Sequence, residues 1–145
     1  MPAKHVEVAI TQGNVFRTEC TAGPHMVVVD QLTGAGGTDT GPTPLDYQLF
    51  ALGGCITAIG RIIANQRKLD IRGITATVHG DLNTDGLLGK DPVDRVGFTG
   101  FRAEVDIDAD MSPDEKAALV KEIDQRCPIS ENLGNATPVE IRFAC

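Results

Sequence analysis

Apolar and polar residues alternate from the start of the chain. In KHVEVAITQ, residues 4–12, Val6, Val8 and Ile10 share one face, the two-residue period of a β-strand. Gly13–Asn14 then signals a turn. VFRTECTA, residues 15–22, reads as a second strand, and HMVVVDQ, residues 25–31, as a third after Gly23–Pro24. The N-terminal third therefore predicts a β-meander. TGAGGTDTGPTP, residues 33–44, carries no apolar period and reads as a loop.

The period then changes to that of a helix. Thr43 is placed to be the N-cap, Pro44 to be the first helical residue, and Asp46 to be the third, in the manner of a capping box. Asp46 also suits the positive end of the helix dipole. From Leu45 to Ile63 apolar residues run all round, with only Asp46, Gln48, Thr57 and Arg61 clearly polar apart from the Tyr47 hydroxyl. A helix apolar on every face predicts a buried central element, turning wet in RIIANQRKLD. Gly53 and Gly54 interrupt it just before Cys55. Glycine costs a helix interior about 1 kcal/mol relative to alanine. Two in a row imply close packing by a neighbour or access to the thiol.

Alternation resumes in IRGITATVHGDL, residues 71–82, with Ile74, Ala76 and Val78 on one face. NTDGLLGKDPVD, residues 83–94, reads as a turn or loop. RVGFTGFRAEVDIDA, residues 95–109, is a long strand with Phe101, Ala103, Val105 and Ile107 together. SPDEKAALVKEIDQR is a second helix: Ser112, Pro113 and Glu115 form a full capping box, and Ala118, Leu119 and Ile123 give the apolar face. Pro128 disfavours helical backbone at Cys127 and ends it. SENLG is a short helical turn, and VEIRFA, residues 139–144, a closing strand. The order βββ-α-ββ-α-β gives an α+β plan in one domain, residues 1–145.

Composition narrows the function classes. The formal net charge of −7, with 13 Lys and Arg in no basic stripe, argues against nucleic acid. No phosphate-binding glycine fingerprint is present. No secretory apolar region follows Met1, and the run from Leu49 to Ile63 is too short and glycine-rich for a membrane span. A cytoplasmic protein is expected. His5, His25 and His79 recur at no ligand spacing, so no metal site is expected.

The four cysteines, Cys20, Cys55, Cys127 and Cys145, form no C-x-x-C pair. Each is open to two readings, an inert core thiol or a redox-active one. Cys55 lies inside the apolar helix and Cys127 at the end of the second helix. They are 72 residues apart, so only the fold can bring them together.

GPTPLDYQLFALGGC, followed by CPISENL and then TPVEI, resembles the OsmC/Ohr family of osmotically inducible and organic hydroperoxide resistance proteins. The resemblance covers nearly the whole chain. It implies an α+β fold whose antiparallel sheets wrap two central helices in an intertwined homodimer. It implies a cysteine-based peroxidase for organic and, more weakly, inorganic hydroperoxides, serving oxidative and osmotic stress defence. Cys55 matches the peroxidatic cysteine and Cys127 the resolving one. An external dihydrolipoyl-type dithiol would regenerate them, with no bound cofactor. The family's activating arginine corresponds to Arg17, whose other reading is an exposed strand residue. The glutamate expected ten residues before Cys55 is replaced by Leu45. Asp46, nine before, is the nearest acid, and capping competes with a catalytic role for it.

Two functions follow. The first is the peroxidase, with Cys55, Cys127, Arg17 and Asp46 as its machinery. The second is a non-enzymatic binder that holds an apolar molecule in a dimer-interface cavity walled by Leu49, Leu52, Ile56 and Ile59. A purely structural stress-induced homodimer is a third.

Overall fold

Three short antiparallel strands open the protein, for which a computed structural model describes residues 2–90 and 95–144. They are β1 (Ala9–Gln12), β2 (Thr18–Ala22) and β3 (His25–Val29), in the order β1-β2-β3. Ile10 lies opposite Cys20, and Cys20 opposite Val27. Gly23 makes the β2–β3 turn at a φ of +58°, a conformation costly for residues with a Cβ. The expected first strand is shortened. Residues 4–8 are unpaired because β2 ends at Ala22, and Val6 and Val8 are exposed.

The glycine-rich loop is organised by one carboxylate. Asp30 is 1% exposed and accepts five groups: the Thr38 hydroxyl at 2.6 Å, the Thr40 hydroxyl at 2.8 Å, and the N–H groups of Gln31, Thr38 and Thr40. A 3₁₀ turn, Thr33–Ala35, lies within the loop. The Asp30 N–H donates to the Pro42 carbonyl and closes it. The Thr38 hydroxyl first, and then the Thr40 N–H, hold the Asp30 carboxyl well below the usual carboxylate range.

Helix α1 (Pro44–Arg67) starts with the expected chemistry: Thr43 N–H and hydroxyl donate to Asp46 at 2.8 and 2.7 Å, and Asp46 N–H donates back to Thr43 Oγ1. These strands, the loop and the first turn of α1 form one compact unit, Met1–Gln48; a second spans Leu49–Cys145.

In the second unit, β4 (Ile71–Asp81) pairs antiparallel with β5 (Gly100–Ala109), setting Ile74 opposite Ile107 and Ala76 opposite Val105. Helix α2 (Thr84–Leu87) replaces part of the expected 83–94 loop, because the Asn83 side chain caps it through Asp85 N–H; the last four residues of that loop lie outside the described residues. Helix α3 (Pro113–Arg126) has the full Ser112–Glu115 capping box, and α4 (Pro128–Gly134) follows at once. Leu52, Ile56, Ile63 and Ala64 of α1 join Ile71, Ile107, Leu119 and Ile123 in one apolar cluster. Gly60 permits this approach: a Cβ there would lie 2.5 Å from Ile74 Cδ1 and 3.1 Å from Ile123 Cδ1.

Three expectations change. Helix α1 is not buried all round. It buries one side, Leu52, Ile56, Gly60, Ile63 and Ala64, and exposes Phe50 and Ile62. It is also 24 residues long, with an 18-residue window of mean hydropathy 1.4, so by length and composition alone it could span a membrane; part of that apolar character, at Leu52, Ile56, Ile63 and Ala64, joins the core cluster. VEIRFA forms no strand. Val139, Ile141 and Phe143 are 82%, 93% and 90% exposed, because an extended segment needs a partner edge and none among the described residues pairs with it.

Candidate active site

Cys127 ends one helix and begins the next. Pro128 forces its backbone out of the helical region, to φ −83° and ψ 109°. Its N–H donates to the Asp124 carbonyl at 3.3 Å, and its carbonyl accepts the Glu131 N–H at 3.0 Å. Its sulfur accepts the Ser130 N–H at 3.4 Å. The thiol is thus held from both sides and is buried.

Cys55 comes to the same place from α1, half-buried and packed on the core cluster. Both thiols are free. Burial pushes the Cys55 pKa up, and a side-chain hydrogen bond with Cys127 pushes it further; the Ile129 N–H opposes both. Two cysteines 72 residues apart in sequence therefore share one site.

Gly53, just before it, also finds a reason: a Cβ there would lie 3.3 Å from Val78 Cγ2 of β4, whereas one on Gly54 would meet nothing within 4 Å.

The other expected residues have local partners. Arg17 donates to Glu19 at 2.9 Å and is partly exposed. Asp46 serves the α1 cap, as above. Leu45 is partly exposed. Arg61 donates to the Ile71 carbonyl at 2.9 Å, tying α1 to the start of β4. Cys20 is buried in β2, and Cys145 lies outside the described residues. Among the described residues, no cluster of three or more His, Cys, Asp or Glu could hold a metal ion.

The second unit also holds a cavity of about 640 Å³. Leu52 and Ile56 line it, but Leu49, Ile59 and both cysteines do not. Sequence reasoning missed its far wall, which β5, α3 and α4 supply; only the alternation in β5 pointed that way. It also missed the Ser130 and Ile129 N–H groups aimed at the two sulfurs, for which the helix-breaking Cys127–Pro128 was the available signal.

The family model of OsmC-like protein matches residues 37–142. The chain belongs to the OsmC-like family. Three crystal structures illustrate the likeness. The OsmC-like protein from Mycoplasma pneumoniae is 18% identical with a TM-score of 0.78, over 90% of this chain and 88% of that one. The organic hydroperoxide resistance protein OsmC from Legionella pneumophila is 18% identical with a TM-score of 0.63, over 92% and 91%. The organic hydroperoxide resistance protein from Elizabethkingia anophelis is 17% identical with a TM-score of 0.66, over 90% and 88%. At these identities the likeness is one of fold. No curated protein matches the sequence. This OsmC-like chain thus has the family's α+β fold, with antiparallel sheets and helices.

Proposed function

We propose that this OsmC-like protein is a thiol-dependent peroxidase that reduces organic, and more weakly inorganic, hydroperoxides in oxidative and osmotic stress defence. The observation that carries this reading is the meeting of two free thiols, Cys55 and Cys127, from distant parts of the chain. The Cys55 thiolate attacks one peroxide oxygen, the O–O bond breaks, and the other oxygen leaves as alcohol after taking a proton. Cys55 becomes a sulfenic acid. The Cys127 thiol then condenses with it, releasing water and forming a disulfide. An external dihydrolipoyl-type dithiol reopens that bond and is itself oxidised; no bound cofactor is required.

The thiolate is the nucleophile, and burial works against it. In this reading Arg17 supplies the compensating cation and Asp46 helps to hold it. Arg17 would leave Glu19, an exposed pair of the kind worth about 0–1 kcal/mol. A homodimer of the one OsmC-like domain, 1–145, accounts for the exposed apolar alternation at Val6 and Val8 and at Val139, Ile141 and Phe143. Leu49, Leu52, Ile56 and Ile59 would wall the peroxide's approach, and the protein would work in the cytoplasm without membrane or nucleic acid.

The test is consumption of cumene hydroperoxide with dihydrolipoamide. Wild type turns over, Cys55→Ser does not, and Cys127→Ser leaves a sulfenic acid trappable by dimedone. Absence of turnover in wild type refutes the proposal. The raised Cys55 pKa and Leu45 favour one second reading, a non-enzymatic binder of an apolar molecule; peroxide treatment that leaves both thiols titratable would select it.

A further inference from the structure

The two thiols are met by consecutive N–H groups of one short turn. The Ile129 N–H is directed at the Cys55 sulfur, and the Ser130 N–H donates to Cys127 Sγ at 3.4 Å. One side chain ties that turn back to α3: the Ser130 hydroxyl donates to Asp124 Oδ1 at 2.5 Å. The Asp124 carbonyl in turn accepts the Cys127 N–H at 3.3 Å. Asp124 therefore holds Cys127 twice, directly by its backbone and, through Ser130, at the sulfur. The position is otherwise a poor one for an acid. Asp124 lies in the last turn of α3, where the helix dipole presents its negative end. Aspartate also ranks low as a helix former.

We propose that Asp124 and Ser130 are positioning residues for disulfide formation: their side-chain hydrogen bond holds the Ser130 N–H on Cys127 and keeps that sulfur aimed at Cys55. The inference rests on the peroxidase reading for the use of the step. There the Cys127 thiol attacks the Cys55 sulfenic sulfur, the S–S bond forms and water leaves. Asp124 acts through Ser130, and Ser130 through its N–H.

Ring closure can be timed without peroxide. The aryl disulfide dithiobis(nitrobenzoate) reacts with the Cys55 thiolate, releasing one aryl thiolate and leaving a mixed disulfide. Cys127, giving its proton to water, then attacks the Cys55 sulfur and expels the second aryl thiolate. Acid quenching and peptide mass spectrometry follow both stages in the intact chain. Ser130→Ala and Asp124→Ala should load Cys55 within about twofold of the wild-type rate and close about tenfold more slowly. The double variant should close no more slowly than either single one, since both break the same bond. Ser130→Thr, which keeps the hydroxyl, should restore closure. The urea midpoint of Asp124→Ala should hardly move, because alanine suits the last turn of a helix better. Wild-type closure in Ser130→Ala overturns the proposal. So do additive losses in the double variant, failure of Ser130→Thr to restore closure, or slowing matched by an equal fall in stability. If wild type leaves cumene hydroperoxide intact, only the peroxidase reading fails; slow closure in Ser130→Ala then still supports the positioning pair.

Discussion

Ile62 and Ile63 are the same residue in adjacent positions of one helix, yet the fold treats them oppositely. Ile63 is 0% exposed within the core cluster, and Ile62 is 43% exposed. Truncating a fully buried isoleucine to alanine costs about 2–5 kcal/mol, from lost transfer energy and the cavity left behind. Alanine returns up to about 0.7 kcal/mol in helix propensity. The net expectation for Ile63→Ala is a loss of about 1.3–4.3 kcal/mol. For a chain of this length that lowers Tm by roughly 4–13 °C. Ile62→Ala removes fewer contacts and gains the same propensity, so it should stay within about 1 kcal/mol. Urea unfolding followed by helical circular dichroism measures both, at protein concentrations low enough to separate any dimer. The slope should be unchanged, placing the effect in the native core and not in the denatured state. A loss under about 1 kcal/mol at Ile63, or an equal loss at Ile62, would refute the one-sided burial of α1.

Four further outcomes are expected. Cys55 should alkylate more slowly at pH 7 than an ordinary thiol, with the rate still rising as pH passes the ordinary thiol pKa of about 8.5; Cys127→Ala removes the hydrogen bond and repulsion that raise it, so faster labelling is predicted, and unchanged labelling contradicts the geometry. Because the folded Cys55 pKa is raised, its linkage contribution to stability should be full below the unfolded thiol pKa and lost as pH rises through the folded one. Asp30 works in the opposite direction: its folded pKa is depressed, so its contribution is present above the usual carboxylate range and disappears as pH falls below it, and Asp30→Asn should flatten that acid limb of the stability–pH profile. Ser112→Ala should cost about 1 kcal/mol by removing the α3 cap, read as a shift in the urea midpoint; no shift would mean the cap is dispensable.

Much of the local structure was legible because short-range sterics and capping chemistry determine it. The Thr43–Asp46 and Ser112–Glu115 caps were visible in the letters, as was the break at Cys127–Pro128. The inward alternation of Ile74, Ala76 and Val78 was equally plain, since a strand shows two faces whatever its partner is. The residues of the candidate site were legible as types and motifs. Their juxtaposition was not, because no spacing rule relates residues on different elements.

What the sequence by itself determined was therefore the two long helices, the turns and the alternating segments, and the identity of the two thiols. Tertiary structure decided which alternating segments became strands. Pairing needs an edge, which β4 and β5 found in each other while residues 4–8 and 139–144 found none among the described residues. Tertiary structure also decided which side of the apolar helix was buried, since a helix apolar all round carries no instruction about direction. And it decided that Cys55 meets Cys127, because only α1 packed in the core cluster with α3 carries one thiol to the other.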